Sequence, residues 1–340
     1  MAVINTIKDR ARADLKKIVL PETNDERILR AADMTLKEGT AELILIGDEK
    51  DIKSRAEALG LDLSGASFVN PAESPKLDEY ANVFYELRKK KGVTPEQAKE
   101  KISTDYVYFG VVMVRVGDAD GLVSGAAHTS ADTLRPALQI VKTAKNEKMV
   151  SSFFLIEVPD CEYGEKGTFM FADCGLTQAP TSEELADIAD MTARSFKDLV
   201  GAEPIAAFIS HSTQGSARHD IVDNVKEGLR IAHETYPDLK CDGEFQVDAA
   251  IVPEVAAFKA PDSELAGKAN ILIFPNIDAG NSAYKIAERL AKASAYGPIL
   301  QGIAKPVNDL SRGCRWQDIP GVIAITAVQA QLIEERNKAE

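Results

Sequence analysis

The sequence predicts an α/β protein of two domains, because short apolar strands alternate with amphipathic helices along a chain of 340 residues. Residues 18–20 fit a buried strand, 25–38 carry apolar residues at helical spacing, and 43–47 fit a second strand. Strand, helix and strand within about thirty residues form a βαβ unit, in which the strands pair in parallel. The chain exceeds the ordinary size of one domain, so we expect two α/β domains that share a cleft.

The same alternation continues to the C-terminus. Further helices are expected within 77–102 and at 133–145, 182–199, 220–236, 282–294 and 321–335, and further strands at 120–125, 151–158, 168–173, 205–210, 270–275 and 299–304. Ser130 or Asp132 is a suitable cap for the helix at 133–145. The pattern of residues 245–253 is ambiguous, and residues 322–326 taken alone would pass for a strand.

Composition excludes several classes of function. The net charge of −13 argues against nonspecific binding to nucleic acids or acidic membranes, because polyanions bind clustered Lys and Arg. No apolar run approaches the roughly 18 residues of a membrane span, and the N-terminus lacks the apolar core of a signal peptide, so we expect a cytoplasmic protein. The four cysteines include no C-x-x-C pair and the four histidines share no metal spacing, so neither disulfides nor a metal site are expected.

An acidic protein that binds an anionic small molecule must concentrate cations in one place, which makes Arg88, Arg135 and Arg312 informative. The sequence has no G-x-x-x-x-G-K-[ST] phosphate loop and no G-x-G-x-x-G after a strand, which argues against common nucleotide-dependent enzymes. It also lacks the G-x-S-x-G motif of serine hydrolases.

Residues 305–318 form the first candidate site. The apolar run at 299–304 reads as a strand that delivers a polar loop with Asn308, Ser311 and Arg312, and Asp318 lies just beyond. Open α/β sheets bind ligands beyond the carboxyl ends of their strands, and loops on a rigid scaffold often carry function. We therefore expect this loop to handle an anion.

Residues 124–136 form the second candidate. Small residues precede a helix there and would leave backbone N–H groups open, a geometry that suits an anion; a plainly capped helix start is the equal alternative. Residues 278–281 read as an ordinary turn.

The two candidate segments resemble the phosphate acetyltransferase (phosphotransacetylase) family in its short form, without an N-terminal regulatory extension. Three further segments share the resemblance: residues 248–255, 274–281 and 296–302. The resemblance runs from Pro21 to the C-terminal helix. It implies reversible acetyl transfer between acetyl phosphate and the thiol of coenzyme A by direct attack in a ternary complex. It also implies two α/β domains of the isocitrate/isopropylmalate dehydrogenase type with an interdomain active-site cleft. The first would comprise 1–144 plus 299–340, and the second, 145–298, would form a homodimer interface.

The resemblance implies roles for particular residues. Asp318 is expected to be the base, Arg312 to bind the phosphoryl group and the oxyanion, and Ser311 to hydrogen-bond the reacting group. Substrate contacts are expected from Arg135, Arg88, Ser130, Thr129, Thr133 and Asn308. Coenzyme A would be a co-substrate, with no tightly bound cofactor and no metal ion.

Three alternatives stay open. A phosphate butyryltransferase would need a roomier acyl pocket, a noncatalytic acyl-CoA-sensing domain would serve regulation, and a hydroxyacid dehydrogenase of similar fold would need a nicotinamide cofactor and a divalent metal. The joint presence of Arg135, Ser311, Arg312 and Asp318 favours catalysis.

Overall fold

A computed structural model describes residues 2–339. The chain divides into two units: residues 3–146 with the chain from 303 onward form unit 1, and residues 147–302 form unit 2. Each unit has its own sheet with helices packed on it. The predicted α/β fold class is therefore confirmed.

The strands, in chain order, are β1 (Lys17–Leu20), β2 (Glu42–Ile46), β3 (Ser67–Val69), β4 (Gly121–Val123), β5 (Ser151–Glu157), β6 (Thr168–Ala172), β7 (Ala206–Ile209), β8 (Cys241–Phe245), β9 (Ile271–Ile273), β10 (Ser294–Gln301) and β11 (Val307–Asn308). The sheet of unit 1 has the order β11-β4-β1-β2-β3 and all its strands are parallel. The sheet of unit 2 has the order β10-β5-β6-β9-β7-β8, with antiparallel pairing of β5 to β10 and β6 and parallel pairing elsewhere.

The helices are α1 (Val3–Ala13), α2 (Glu26–Glu38), α3 (Glu49–Ala58), α4 (Leu77–Arg88), α5 (Pro95–Thr104), α6 (Tyr106–Val116), α7 (Ser130–Pro136), α8 (Tyr163–Lys166), α9 (Ser182–Val200), α10 (Asp220–Thr235), α11 (Val247–Ile251), α12 (Pro253–Lys259), α13 (Ile277–Leu290) and α14 (Ile319–Ala339). A π-helical segment, Ala137–Val141, continues α7. Within residues 2–339, no helix combines the length and the apolar character that a membrane crossing requires.

Helices α6 and α14 cover opposite faces of the unit 1 sheet. A side chain at Gly110 of α6 would meet Leu122 at 2.7 Å and Val19 at 2.9 Å, so the helix backbone lies directly on the sheet. Thr326 of α14 comes within 2.6 Å of the Cβ position of Gly121, the residue before Leu122. Successive strand residues face opposite sides, so the two helices bury the sheet between them.

The parallel order places three strand ends side by side. The carboxyl ends of β11, β4 and β1 lie at one edge of the unit 1 sheet, and each continues into a polar loop. This is the edge at which α/β sheets bind ligands. Unit 2 is built around an aromatic core in which Phe154 stacks on Tyr284 with ring centroids 3.9 Å apart.

Several sequence-based element assignments were wrong. The apolar run before the first candidate loop belongs to β10, whose residues 299–301 pair with β5 in unit 2, and the strand that delivers the loop is the short β11. The helix expected at 133–145 begins at Ser130 and ends at Val141. Residues 278–281 lie in the first turns of α13 rather than in a turn.

Candidate active site

Three loops of unit 1 converge beyond the sheet edge. The loop after β1 carries Glu22, Asp25 and, at the start of α2, Arg27; the loop after β4 covers residues 124–129; and the loop after β11 runs from Asp309 to Asp318. Hydrogen bonds between them define the site, and all sequence-predicted site residues except Arg88 lie on or beside the second and third loops.

The second loop is fixed by one buried carboxylate. The Glu22 side chain is fully buried and accepts the N–H groups of residues 125, 126, 127 and 128 at 2.7–2.9 Å. Its Oε1 also lies 2.7 Å from Nδ1 of His128. The expectation that these N–H groups are open to a substrate anion was wrong, because a carboxylate of the protein already occupies them.

Arg27 joins all three loops. Its guanidinium pairs with both carboxylate oxygens of Asp25, donates to the carbonyl of Ala126 at 2.5 Å and donates to the carbonyl of Arg312 at 2.8 Å. Hydrogen bonding to Arg27 holds the pKa of Asp25 below its ordinary value, against the effect of burial. The backbone of the predicted catalytic loop is thus tied to the loop that carries His128.

Sequence reasoning missed Glu22 and Arg27. The available signal was position, since Glu22 follows the end of a central parallel strand, where ligand-binding loops begin. Its residue type gave no further signal, because a glutamate followed by a helix start is common in loops.

Asp309, the first residue of the third loop, is a buried carboxyl group that lies beside the second loop. It is 0 % exposed, and neither oxygen makes a hydrogen bond of normal geometry within the described residues; the same holds for the nearby hydroxyl of Thr133. Burial raises the pKa of Asp309 to about 7, an effect partly opposed by the Ser130 and Thr133 hydroxyls and the N–H of Leu310. A buried carboxyl without close donors is most stable when it keeps its proton.

Gly125 allows Asp309 to lie directly against the backbone of the second loop. Its φ is +110°, and a Cβ atom there would lie 2.0 Å from Oδ1 of Asp309 and 2.6 Å from the N of Leu310. Only glycine satisfies both the backbone conformation and the contact.

Ser311 and Arg312 occupy the turn of the third loop. Ser311 is half-buried and its Oγ accepts the N–H of Gly313 at 3.3 Å, while Arg312 is exposed. Because Arg27 holds the Arg312 carbonyl, the guanidinium of Arg312 extends from an anchored backbone.

Asp318 is only 4 % exposed and forms a bidentate ion pair with Arg315, at 2.8 and 3.0 Å. A carboxylate offers about four acceptor positions and a bidentate arginine uses two of them. Arg315 was not among the residues predicted from sequence, and its pairing requires the ionised, proton-accepting form of Asp318.

The N-cap residue of α7 is not one of the two expected from the sequence, Ser130 and Asp132. Thr129 is the N-cap, and the Asp132 carboxylate accepts its hydroxyl at 2.7 Å and its N–H at 3.3 Å. This bonding lowers the pKa of Asp132, and the charges of His128 and Arg135 lower it further. Asp132 therefore lies close to both cationic side chains.

Arg135 and Arg88 share a neighbourhood around Tyr108. Burial raises the pKa of Tyr108, while the charges of Lys101, Arg135 and Arg88 act against that rise. The ammonium of Lys101 lies 4.4 Å from the ring centroid, which is a cation–π distance. The structure thus brings together two sequence-predicted arginines and adds a lysine.

The side chain of Asn308 is directed toward helix α14. It is fully buried, and its Nδ2 donates to Thr326 and Gln329 of α14 at 2.8 and 2.7 Å. These contacts favour a structural role over the substrate contact expected from sequence.

Two further kinds of chemistry find no support. Burial raises the pKa of the Cys314 thiol to about 12, so the cysteine in the third loop is protonated at neutral pH and is a poor nucleophile. Within residues 2–339, no group of three or more His, Cys, Asp and Glu side chains has the geometry to hold a metal ion. The loops of unit 1 present cationic side chains that can bind anions, and carboxylate and imidazole groups that can transfer protons.

Replacement of Gly125 by alanine tests the contact between the second and third loops. We expect Gly125→Ala to lower the free energy of unfolding by about 2–5 kcal/mol, because overpacking adds to left-handed backbone strain. Urea denaturation measures this. Gly92→Ala is the matched control, since Gly92 has a φ of +87° but no neighbouring atom within 4 Å; equal losses in the two variants would refute the contact.

The raised pKa of Asp309 predicts a pH-dependent contribution to stability. Because the folded state holds this proton more tightly than the unfolded state, the contribution is complete below pH about 4 and is lost as pH rises to about 7. Asp309→Asn keeps a neutral side chain, so the variant should gain about 4 kcal/mol relative to wild type across that range. Urea denaturation at several pH values measures the difference.

Asp118→Asn is the control, because the contribution of Asp118 to stability should change with pH in the opposite direction. Hydrogen bonding to Lys76 lowers the pKa of Asp118, so its contribution to stability is lost as pH falls. A pH-independent difference between Asp309→Asn and wild type would show that folding does not raise the pKa of Asp309.

Comparison with known proteins places this geometry in a family. A family model described as Phosphate acetyl/butaryl transferase matches residues 2–327. Curated proteins named phosphate acetyltransferase are similar along nearly the whole chain. One from Thermoanaerobacterium thermosaccharolyticum is 56% identical over 97% of this chain and 100% of its own length, and one from Acetivibrio thermocellus is 55% identical over 98% and 100%.

A solved structure is also similar. The crystal structure of a phosphotransacetylase from Streptococcus pyogenes superposes with a TM-score of 0.87 at 44% identity, covering 97% of this chain and 98% of that chain. The resemblance inferred from the sequence motifs is thereby confirmed, and the chain belongs to the phosphate acetyl/butyryl transferase family.

Proposed function

We propose that this protein catalyses the reversible transfer of an acetyl group between acetyl phosphate and coenzyme A. The observation that carries the proposal is the third loop of unit 1, which holds Ser311, Arg312 and the buried Asp318 on one anchored segment at the ligand-binding edge of the sheet. The relatives of the same length named phosphate acetyltransferase support the choice of reaction.

The reaction needs a thiolate, a stabilised oxyanion and a neutralised leaving group. The coenzyme A sulfur attacks the carbonyl carbon of acetyl phosphate, a carbon–sulfur bond forms, and the bond from carbon to the phosphate oxygen breaks. The thiol proton must leave the sulfur as the attack proceeds. No acetyl-enzyme is required, and the high pKa of the Cys314 thiol agrees with direct transfer.

Asp318 is the proposed proton acceptor. A thiol titrates near 8.5 and an ordinary aspartate near 3.9, a mismatch of about 6 kcal/mol, so the thiolate must be stabilised as it forms. Arg315 and Arg312 supply positive charge to this segment. The pairing with Arg315 keeps the carboxylate in the ionised form that can accept a proton and fixes the orientation of both oxygens. Because the same pairing opposes protonation of Asp318, stabilisation of the thiolate by the nearby cations must supply the driving force for proton transfer.

Arg312 is the proposed ligand of the phosphoryl group. Its planar guanidinium matches the oxygens of a phosphate and donates to an oxyanion without reorganisation. The Ser311 hydroxyl lies one residue away and would donate to the reacting carbonyl or to the sulfur.

The cations around Tyr108 are the proposed site for coenzyme phosphates. The charges of Arg88, Lys101 and Arg135 all act on Tyr108, which concentrates cations there in a chain with a net charge of −13, although Lys101 also pairs with Asp105 at 2.8 Å. Thr129 and Ser130 begin the helix that carries Arg135 and are further proposed substrate contacts; the Ser130 hydroxyl, like that of the buried Thr133, also acts on Asp309.

The second candidate is a phosphate butyryltransferase, because the family description covers both acyl groups. Comparison of rates with acetyl phosphate and butyryl phosphate decides between them, and the relatives' name favours acetyl.

A cytoplasmic homodimer that needs no tightly bound cofactor, and binds neither nucleic acid nor membrane, completes the proposal. The deciding assay is thioester formation from coenzyme A and acetyl phosphate with a metal chelator present; absence of product would refute the function.

Replacement of Arg312 or Asp318 should abolish most of the activity. We expect Arg312→Ala and Asp318→Asn each to lower kcat by at least about a hundredfold, as loss of a charge-stabilising group or a general base does. Initial rates of thioester formation measure this. Arg55→Ala, at an exposed ion pair of α3, is a control. Near-normal turnover in Asp318→Asn would exclude Asp318 as the base.

Arg135→Ala should weaken substrate binding. A lost charge-assisted hydrogen bond to phosphate weakens binding by about 1.5–3 kcal/mol, which is roughly a 10- to 100-fold rise in KM. Measurement with each substrate varied in turn shows whether coenzyme A or acetyl phosphate is affected. Unchanged KM values for both would remove Arg135 from the site.

A further inference from the structure

His128 has a fixed orientation and a fixed tautomer. Its Nδ1 lies 2.7 Å from Oε1 of Glu22, while its side chain is 43 % exposed. The carboxylate behind it is fully buried and already accepts four backbone N–H groups. A carboxylate with this many donors is satisfied only in its ionised, acceptor-only form, so Nδ1 must be the donor.

This arrangement assigns the chemistry of the other ring nitrogen. With Nδ1–H bound to Glu22, Nε2 carries a lone pair when the ring is neutral and a proton when the ring is charged. A histidine oriented by a carboxylate through Nδ1 is the arrangement that lets Nε2 exchange protons with a substrate. The exposed part of His128 gives a small molecule access to the ring.

His128 also lies among the groups proposed to bind phosphate. It precedes Thr129 and Ser130 in the chain, and its charge and that of Arg135 both act on Asp132. Arg27 connects the same loop, through Ala126, to the backbone of Arg312. The imidazole thus interacts with two carboxylates, Glu22 and Asp132, and each of these also interacts with an arginine, Glu22 with Arg27 and Asp132 with Arg135.

Asp318 provides for the thiol proton, but the phosphate side of the reaction also exchanges a proton. Hydrogen phosphate that attacks acetyl-CoA must lose its proton to become acetyl phosphate, and phosphate that leaves acetyl phosphate must gain one. The proposed roles of Ser311, Arg312 and Asp318 do not provide for this proton.

We propose that His128 is the acid–base residue for the phosphate substrate. In the synthesis of acetyl phosphate, Nε2 accepts the proton of the attacking hydrogen phosphate as its oxygen bonds to the carbonyl carbon and the carbon–sulfur bond breaks, and Asp318 returns a proton to the departing thiolate. In the opposite direction, Nε2–H protonates the leaving phosphate oxygen and Asp318 takes the thiol proton. Exchange with water resets both groups. This inference rests on the proposed function and adds a residue to it.

Chemical rescue tests the role of His128. We expect His128→Ala to lower kcat in both directions by about 10²- to 10⁴-fold, the usual contribution of general acid–base catalysis, with a smaller change in the KM for phosphate. Added imidazole should restore part of the lost rate in the variant and should leave wild type unchanged, because the exposed position leaves room for a free ring. A group with only a structural role would not be replaced by a small molecule in solution.

The comparison variants are His128→Gln and His233→Ala. A glutamine side chain cannot transfer a proton but keeps hydrogen-bonding groups, so a loss of activity in His128→Gln with an unchanged unfolding midpoint separates catalysis from folding. His233, whose Nε2 contacts the carbonyl of Cys241 in unit 2, reports on histidine replacement in general.

The proposal is overturned if His128→Ala keeps kcat within about tenfold of wild type, if only KM changes, or if imidazole restores no activity. Absence of thioester formation by the wild-type protein is a different result, since it refutes the proposed function before His128 is considered.

Discussion

The buried carboxylate of Glu22 is the interaction on which the rest of the site depends. An anion taken out of water is stable only when hydrogen bonds replace its hydration, and the N–H groups of residues 125–128 supply them. The carboxylate in turn gives the loop after β4 a single conformation. That conformation sets the start of α7, the orientation of His128 and, through the helix, the position of Arg135.

The loop after β11 is attached to this frame at two points. Arg27 binds the carbonyls of Ala126 and Arg312, and Asp309 packs against Gly125 where no side chain fits. The acidic groups at the site are consequently neutralised in different ways. Glu22 is surrounded by donors, Asp25 pairs with Arg27, and burial favours the protonated form of Asp309. Arg312 and Arg135, in contrast, are exposed, so cationic side chains reach the surface at this site in a protein of net charge −13.

Sequence patterns predicted the α/β class and most helices and strands, because hydrophobic period and capping residues are local signals. They failed where the signal was nonlocal. A strand of two residues such as β11 is too short to show a hydrophobic period. The apolar run before it gave no sign that its residues pair with β5 of unit 2 and do not join the sheet of unit 1. The loop at residues 309–318 was singled out because its residues resemble a family motif, whereas Arg315, Glu22 and Arg27 were missed because their roles arise from contacts with distant or unexpected partners.

By itself, the sequence determined the fold class, the family and the segment that carries Ser311, Arg312 and Asp318. The tertiary structure decided how that segment is held and which groups remain available to a substrate. It assigned the N–H groups of residues 125–128 to Glu22, turned Asn308 toward α14 and brought Lys101 to the two arginines near Tyr108. The physical reason is that residue type and spacing record which groups can bind an anion, while hydrogen-bond partners and burial depend on chain segments that meet only when parallel strands align their carboxyl ends.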